Sequence, residues 1–389
     1  MDFEFTEEQK MLKKNAREFM EKEIIPQADE YDQKYHPFPK EWLAEVFKKL
    51  TPLGYVAGLV PEEYGGGGLD HISYGILVEE LARACGSLAV CEIAQHIIGP
   101  LSLVIEGTEV QRAKYLRPTM AGEMICAIAV TEPDVGSAVR DVRTTAVLDG
   151  KDYVINGTKT WISNGPVTGL VMLVALADDG KGNKGVTRFF VDREHSKFEI
   201  RELHKLGFRS CPTGELAFQN CRAPQENVIG EVGKGYGGTV QRIFPTLRAS
   251  LAMTGVGLAQ AAIDASVSYA RERKQFGRPI AKFQLVQEMI ADMVIETDAA
   301  RLLVLQAFES VQKGIDHVRR CALAKAYATE SAVRTASKAI EIHGAYGVSE
   351  EYSIERYFRD ARTLIFLDGT SEIQKLIVGR EVLDMAAFV

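Results

Sequence analysis

A short acidic loop near the C-terminal end of the chain raises the first question of chemistry. The segment FLDGT, at 366–370, interrupts a region of otherwise helical composition. Asp-Gly is typical of a tight turn and Thr is a favoured helix N-cap, so a simple capping turn would explain the loop. A carboxylate presented on a loop is equally suited to accept a proton from a substrate. From these residues alone, both interpretations of Asp368 stay open.

Two further segments carry residues suited to binding a flat polar group. TEPDVGS, at 131–137, follows the apolar run ICAIAV, and its Gly and Ser offer backbone N–H groups and hydroxyls. GTKTWISNG, at 157–165, places the indole of Trp161 two residues before the hydroxyl of Ser163. A strand-to-turn junction has the first composition, and a core tryptophan beside a satisfied serine explains the second. Neither motif identifies a site by itself.

Two segments nearer the C-terminus are candidates for phosphate binding. YARERKQFGRPIAKFQ, at 269–284, contains Arg273, and an arginine holds phosphate by charge and by its fork of donors. HGAYG, at 343–347, supplies two glycines that would allow the backbone to approach a phosphate closely. A solvated helix end and an ordinary helix-joining loop are the alternatives.

Composition excludes several classes of partner. With 389 residues the chain is long enough for two or three packed units. A net charge of -7 and a pI near 5.7 argue against nucleic acid or an anionic membrane as the main partner.

The acidic N-terminus and the absence of any run of 18 uninterrupted apolar residues predict a cytoplasmic protein. Six scattered cysteines without a CxxC pair predict reduced, packed thiols and no metal site.

The residue pattern changes twice along the chain, from helical to β-rich and back to helical, which predicts three domains. The first, 1–123, is helical: Thr6 and Gln9 form a capping box, and helical character from Tyr74 to about Ile105 is broken at Gly99-Pro100. The second, 124–235, consists of short β-rich runs with a hairpin turn at Asp149-Gly150. The third, 236–389, returns to long helical patterns.

Taken together, these motifs resemble the acyl-CoA dehydrogenases, flavoproteins that desaturate acyl thioesters. TEPDVGS, GTKTWISNG, YARERKQFGRPI and HGAYG…ERYFRDAR…FLDGTSEIQKLI occur in the family's order, spacing and domain context, and the resemblance covers essentially the whole chain. It implies a multi-domain α+β fold: an N-terminal helical domain, a middle β-barrel-like domain and a C-terminal four-helix bundle. It further implies FAD, a homotetramer, an acyl-CoA or acyl carrier protein thioester substrate, and an electron-transfer flavoprotein as electron acceptor.

The resemblance also implies roles for individual residues. The flavin and thioester region would be lined by Thr131, Gly136 and Ser137, with Ser137 also contacting substrate. Trp161 would pack against the flavin ring, and Ser163 would bond near its N5 atom. Residues implied for the FAD diphosphate and adenosine, partly across a subunit interface, are Arg273, Gln275, Phe276 and Gln284, and Gly344 and Thr370 would also approach the cofactor. Arg248 corresponds to an arginine beside the substrate cleft.

The acidic loop acquires a role through this resemblance. In the family the loop usually reads YEGT, and its glutamate removes the α-proton of the acyl thioester, so Asp368 is the candidate base. Aspartate is one methylene shorter, although the related nitroalkane oxidases use aspartate at this place. Some family members place the glutamate on the helix before the arginine instead, and that position is Leu247 here. Glu341 and Ala138 also depart from common residues of the family.

One pair of residues bears on substrate specificity. Glu92 and His96 lie four residues apart on the helix expected to border the acyl pocket, where a surface pair is one explanation. The alternative is a polar group in the acyl chamber, which would suit a cyclic, branched or functionalised substrate or a second proton transfer.

Three functions remain in competition at this stage. The first is an FAD-dependent dehydrogenase that removes an α-proton and a β-hydride from an acyl thioester. The second is a flavin oxidase of the nitroalkane-oxidase type, and the third is a binding protein that lost catalysis together with the glutamate.

Overall fold

The computed structural model describes residues 4–235, 237 and 242–387, which form a helical part, a sheet and a second helical part. The predicted fold class is confirmed. The N-terminal helices are α1 (Glu7–Phe19), α2 (Ile25–Gln33), α3 (Lys40–Leu50), α4 (His71–Ala84), α5 (Gly86–His96), α6 (Ser102–Glu106) and α7 (Glu109–Met120). Helix α1 begins with the predicted capping box: the Thr6 hydroxyl accepts from the Gln9 N–H, and the Gln9 side chain accepts from the Thr6 N–H.

The predicted break at Gly99-Pro100 is wrong. The chain instead breaks at Cys85, whose extended backbone separates α4 from α5. Pro100 cannot donate a backbone hydrogen bond, and the helix accommodates it by widening into one π-helical turn, Ile97–Leu101, that leads into α6. Gly99 is required by packing, because a Cβ there would lie 2.6 Å from the Cys126 sulfur.

The stretch containing this π-helical turn is strongly apolar. By length and composition Gly86–Glu106, with a mean hydropathy of 1.7, is the one described helix that could cross a membrane. However, 89% of it is buried within the fold, as is common for a core helix.

All six cysteines are free and buried, as predicted.

The middle part is an eight-stranded sheet. Its strands are β1 (Cys126–Ala129), β2 (Thr145–Asp149), β3 (Asp152–Ser163), β4 (Leu170–Asp178), β5 (Lys184–Asp192), β6 (Glu199–Glu202), β7 (Thr213–Pro224) and β8 (Val228–Ile229). Seven follow the order β6-β7-β3-β2-β4-β5-β8, and β1 pairs in parallel with β4. The predicted hairpin turn joins β2 to β3, with Asp149 opposite Asp152. An apolar cluster that includes Tyr153, Phe189 and Phe218 fills this part.

Three long helices and two shorter ones form the C-terminal part. They are α8 (Phe244–Glu272), α9 (Gln284–Lys313), α10 (His317–His343), α11 (Ile354–Leu364) and α12 (Ser371–Leu383). A two-stranded hairpin, β9 (Lys274–Gln275) and β10 (Arg278–Pro279), joins α8 to α9. Helix α8 packs against both α10 and the N-terminal α4, so the two helical parts share one core.

A buried ionic network fastens α11 to the other two parts. The guanidinium of Arg359 donates to Asp32 of α2 at 2.5 Å and to Glu355 at 2.9 Å. Asp360 accepts from the backbone N–H of Phe208 in the middle part. Burial, together with the nearby Asp32 charge, raises the pKa of Asp360 to about 7. Helix α11 is therefore fixed in place by charge as well as by packing.

We expect Arg359→Ala to destabilise the protein by about 3–5 kcal/mol, because buried Asp32 would lose its close cation and keep only Arg209, 3.9 Å away. Arg222→Ala is the matched control, since its pair with Asp149 is exposed, and it should change stability by less than about 1 kcal/mol. Urea unfolding followed by tryptophan fluorescence measures both effects. Equal midpoints for the two variants would contradict this role for the network.

Candidate active site

The loop that carries Asp368 lies between α11 and α12. Thr370 is the N-cap of α12, and its hydroxyl accepts a hydrogen bond from the Ile373 N–H at 3.4 Å. Asp368 has a left-handed backbone with φ of 48°, and Gly369 follows with φ of 106°. A non-glycine residue in this region is uncommon and is often found at functional sites. The loop is therefore a capping turn that also presents a carboxylate.

The carboxyl group of Asp368 lies within electrostatic range of two cations, Lys325 and Arg248. Its side chain is accessible to solvent, yet protein surrounds it densely enough that desolvation raises its pKa. The positive charges of Lys325 and Arg248 act in the opposite direction and favour the ionised form. Arg248 is buried, with its guanidinium 5.6 Å from the Phe244 ring. The structure thus places Arg248 within electrostatic range of Asp368.

Lys325 is a residue of the site that the sequence did not reveal. It lies in α10, is fully buried, and donates from Nζ to the carbonyls of Ile365 and Gly369 at 2.6 Å each. Burial lowers its pKa to about 8. The available signal was a single lysine among small apolar residues in CALAKAYATE, where an amphipathic helix turns its apolar face inward.

The two middle-domain motifs lie against each other. The Thr160 N–H donates to the Thr131 carbonyl at 2.9 Å, which joins the loop after β1 to β3. Below them the fully buried Lys159 contacts Glu132 at 2.8 Å and the Val130 carbonyl at 2.8 Å. Glu132 also accepts from two backbone N–H groups, those of residues 143 and 144. The loop 131–137 is therefore held firmly from its buried side.

Trp161 is not a core residue, so that alternative is wrong. Its side chain is 58% exposed, and its backbone has φ of 62° where the β3–β7 register shifts between Lys159 and Ile162. A large aromatic residue with positive φ is a strained exception, costing about 1–3 kcal/mol. This backbone conformation turns the indole away from the core and into solvent. The exposed ring face can therefore cover a flat ligand.

The residues that follow Trp161 in the chain, and the loop 131–137, form the rest of this surface. Ser163 is half-buried, and the next residue, Asn164, donates to the carbonyls of Cys91 and Cys126 at 3.0 and 3.1 Å. This amide fixes the end of β3 against α5 and β1. On the facing loop Gly136 and Ser137 are exposed, and a Cβ at Gly136 would meet nothing within 4 Å.

The candidate phosphate-binding residues form a second group. In the β9–β10 hairpin Phe276 occupies the turn with φ of 49° and is 87% exposed. Arg273, Gln275 and Gln284 are exposed beside it, and the Arg273 guanidinium lies 5.8 Å from the ring of Tyr346. Tyr346 belongs to the turn Gly344–Val348, so the hairpin and the HGAYG segment are neighbours. Gly344 is exposed with φ of 61°.

The two groups lie far apart in one chain. Arg248 near Asp368 and Arg273 beside the hairpin are at opposite ends of α8. At 1.5 Å per residue, this helix separates them by roughly 37 Å. One chain therefore holds Asp368 with Arg248 at one end of α8 and Arg273 with its neighbours at the other.

Glu92 and His96 do not form a surface pair. Both are fully buried, and the Tyr74 hydroxyl donates to Glu92 at 3.2 Å while its ring lies 4.6 Å from the His96 ring. Desolvation raises the pKa of Glu92 to about 8 and lowers that of His96 to about 4. Within the described part of the chain, Glu92 Oε1 and His96 Nε2 have no hydrogen-bond partner. Both shifts favour the neutral form of the side chain.

These residues fit a flavin dinucleotide. An exposed, strained indole provides a face for a three-ring system, and the open surface at Gly136 admits a ligand close to the backbone. The arginine and glycine of the second group are suited to a diphosphate. A nucleotide ligand with both a flat ring and a diphosphate requires both kinds of surface.

Comparison with known proteins gives the family. The models of the acyl-CoA dehydrogenase N-terminal, middle and C-terminal domains match residues 6–123, 127–221 and 233–383. A subunit of the caffeyl-CoA reductase-Etf complex of Acetobacterium woodii is 36% identical, with 96% of this chain and 98% of that protein covered.

Two solved structures agree with this assignment. Butyryl-CoA dehydrogenase from Megasphaera elsdenii superposes with a TM-score of 0.92 at 34% identity, covering 98% of this chain and 100% of that one. A glutaryl-CoA dehydrogenase from Mycobacterium smegmatis in complex with FADH2 has a TM-score of 0.91 at 25% identity, covering 99% and 97%. The chain belongs to the acyl-CoA dehydrogenase family and is an FAD-dependent oxidoreductase of acyl-CoA thioesters.

Proposed function

We propose that Asp368 is the base that removes the α-proton of the acyl thioester. The observation that carries this proposal is a carboxyl group presented by a left-handed loop within electrostatic range of Lys325 and Arg248. Desolvation makes the carboxylate a stronger base than a solvated aspartate, while the two cations partly offset this effect and favour the ionised form. The bound FAD supplies the acceptor for the β-hydride.

The other residues of the proposed site bind and orient the reactants. The Asp368 backbone N–H is proposed to donate to the thioester carbonyl, where charge develops as the proton leaves. Ser137 and Ser163 offer hydroxyls, Trp161 covers the flavin, and Thr131 and Thr370 border it. Because Leu247 is apolar, the alternative position of the base carries no carboxylate.

We propose that each cofactor site is shared between subunits of a homotetramer. The separation of about 37 Å along α8 supports assigning one set of residues to the FAD bound to another copy: Arg273, Gln275, Phe276, Gln284 and Gly344. The 87% exposure of Phe276 supports this, since a large apolar side chain in water is commonly an interface residue. Exposed Leu285 and Ile295 extend the same apolar character along α9.

We propose an electron-transfer flavoprotein as the redox partner, supported by the similarity to a subunit of a reductase-Etf complex. An oxidase is the second candidate, favoured only by the aspartate in place of glutamate. Rapid reoxidation of the reduced flavin by oxygen in the absence of partner would support the oxidase and contradict the dehydrogenase.

We expect Asp368→Asn to retain fold and FAD but to reduce flavin about 10²- to 10⁴-fold more slowly, because an amide cannot accept the proton. Anaerobic stopped-flow bleaching with a panel of acyl-CoA esters measures the rate. In the wild type the rate should fall as pH drops through the raised pKa of Asp368, since only the ionised form is a base. Bleaching at the wild-type rate in Asp368→Asn would mean that the base lies elsewhere.

Asp368→Glu tests the reach of the shorter side chain. The added methylene extends the carboxylate by about 1.5 Å, and displacement on that scale changes rates by up to about 100-fold. We expect the variant to improve turnover of straight-chain acyl-CoA relative to bulkier acyl groups. An unchanged ratio of the two rates would show that reach does not select the substrate.

Arg273→Ala should lower FAD affinity by about tenfold or more, because a charged hydrogen bond to a diphosphate is lost. Equilibrium dialysis of the flavin measures the affinity. Arg271→Ala, an exposed neighbour with no proposed role, is the matched control. Equal FAD affinity of the two variants would remove Arg273 from the cofactor site.

We further propose that Glu92 makes the inner end of the acyl chamber polar. Its partner Tyr74 also contacts Ser250, which lies two residues from Arg248 on α8. Glu92→Met should therefore lower rates with hydroxylated or aromatic acyl groups relative to unsubstituted chains, while Glu92→Gln, an isostere of the neutral acid, should change them little. If Glu92→Met leaves the substrate profile unaltered, Glu92 has a packing role alone.

A further inference from the structure

Lys325 is a buried cation whose presence requires an explanation. Its side chain is fully buried in α10, among helices that otherwise contribute alanine and other apolar residues to the core. Burying an ammonium group is costly unless hydrogen bonds and charge compensate for the lost water. A leucine or methionine would fill the same position without that penalty.

The hydrogen bonds of Lys325 converge on the backbone of the loop that carries Asp368. Its ammonium donates to the Ile365 carbonyl and to the Gly369 carbonyl, which bracket Asp368 in the chain, at 2.6 Å each. The Gln374 amide adds donors from α12 to the carbonyls of Asp368 at 3.3 Å and Gly369 at 3.2 Å. Side-chain donors therefore hold the left-handed backbone at Asp368 from its buried side.

The charged groups around Lys325 act on its ammonium group with unequal strength. Asp368 is the anion that acts on it most strongly, and Glu372 and Glu330 act more weakly. Arg248 is the facing cation. Glu330 is paired with Lys375 at 2.7 Å, so part of its charge is already compensated. The charge of Lys325 is thus directed mainly at Asp368.

We infer that Lys325 is a positioning residue for catalysis: it fixes the loop that presents Asp368 and keeps the Asp368 carboxyl ionised. This inference rests on the proposed function of Asp368 as the base. The aspartate side chain has one methylene less than glutamate to adjust its reach, so its position depends directly on the loop backbone. A displacement of about 1 Å would be enough to lower the rate about 100-fold.

The test begins with the ionisation of Asp368 itself, which requires no turnover. Infrared difference spectra of protein labelled with ¹³C-carboxyl aspartate, wild type minus Asp368→Asn, isolate the carboxyl band of this residue. Its titration midpoint should rise by about 1 pH unit in Lys325→Met, since an adjacent cation depresses a carboxyl pKa by about that amount or more. Lys325→Gln, which keeps a hydrogen-bond donor without charge, should show a similar rise.

Kinetics separate the positioning role from the charge. Flavin reduction on the pH-independent plateau should fall about 10- to 100-fold in Lys325→Met and less in Lys325→Gln, with substrate Kd little changed. In both variants the acid limb of the rate should move to higher pH by the same amount as the infrared midpoint. Lys313→Met, which removes an exposed lysine at the end of α9, is the matched control and should alter neither property.

The outcomes distinguish this inference from the proposal on which it rests. If Lys325→Met fails to retain FAD, Lys325→Gln carries the same two measurements. An unshifted infrared midpoint and an unshifted acid limb would overturn the inference, whatever the loss of rate. Wild-type flavin reduction by Asp368→Asn would instead overturn the proposed base, while the infrared midpoint would still report whether Lys325 acts on Asp368.

Discussion

The negative charge of Asp368 is the feature around which the site is organised. Desolvation raises the pKa of the carboxyl, while the positive charges of Lys325 and Arg248 act in the opposite direction and favour the ionised form. Both cations come from long helices, α10 and α8, that are parts of one core. Helix α11, which leads into the loop, is anchored through Arg359 to Asp32 in the N-terminal part. Enclosure and charge together permit a short carboxylate to act as a base on a weakly acidic C–H bond.

Helix α8 imposes the second constraint, which is one of distance. It carries Arg248 at one end and leads into the hairpin of Arg273 at the other, so a single chain presents two incomplete binding surfaces. In the proposed assembly these surfaces meet across subunits, and FAD would link them. The exposed Phe276 and the strained, exposed Trp161 have the same physical explanation, because each side chain is held away from its own core and available to a ligand or a neighbour.

The sequence was informative where local chemistry determines structure, and less so where tertiary packing does. The capping box at Thr6 and the hairpin at Asp149-Gly150 were predictable because their hydrogen bonds are local. The contact of Thr131 with Thr160, which joins two of the matched motifs, is visible only in the structure. The break at Gly99-Pro100 was wrong, since the helix absorbs proline in a π-helical turn while Cys85 ends α4.

Burial was the quantity that sequence reasoning lacked. The i, i+4 spacing of Glu92 and His96 is the same on a surface and in a core, and only the packing of Tyr74 against both distinguishes the two cases. Lys325 was missed for a related reason: its partners are backbone carbonyls 40 and 44 residues away, which no side-chain pattern reports.

The central claim, that Asp368 takes the α-proton, can be tested without hydride transfer. An acyl-CoA analogue with a heteroatom in place of its β-carbon has no β-hydride to give, yet its α-protons can still exchange with solvent deuterium when a base removes and returns them. NMR of the analogue in D2O should show exchange catalysed by the wild-type holoenzyme and almost none by Asp368→Asn at equal FAD occupancy. Equal exchange rates in the two proteins would contradict the account.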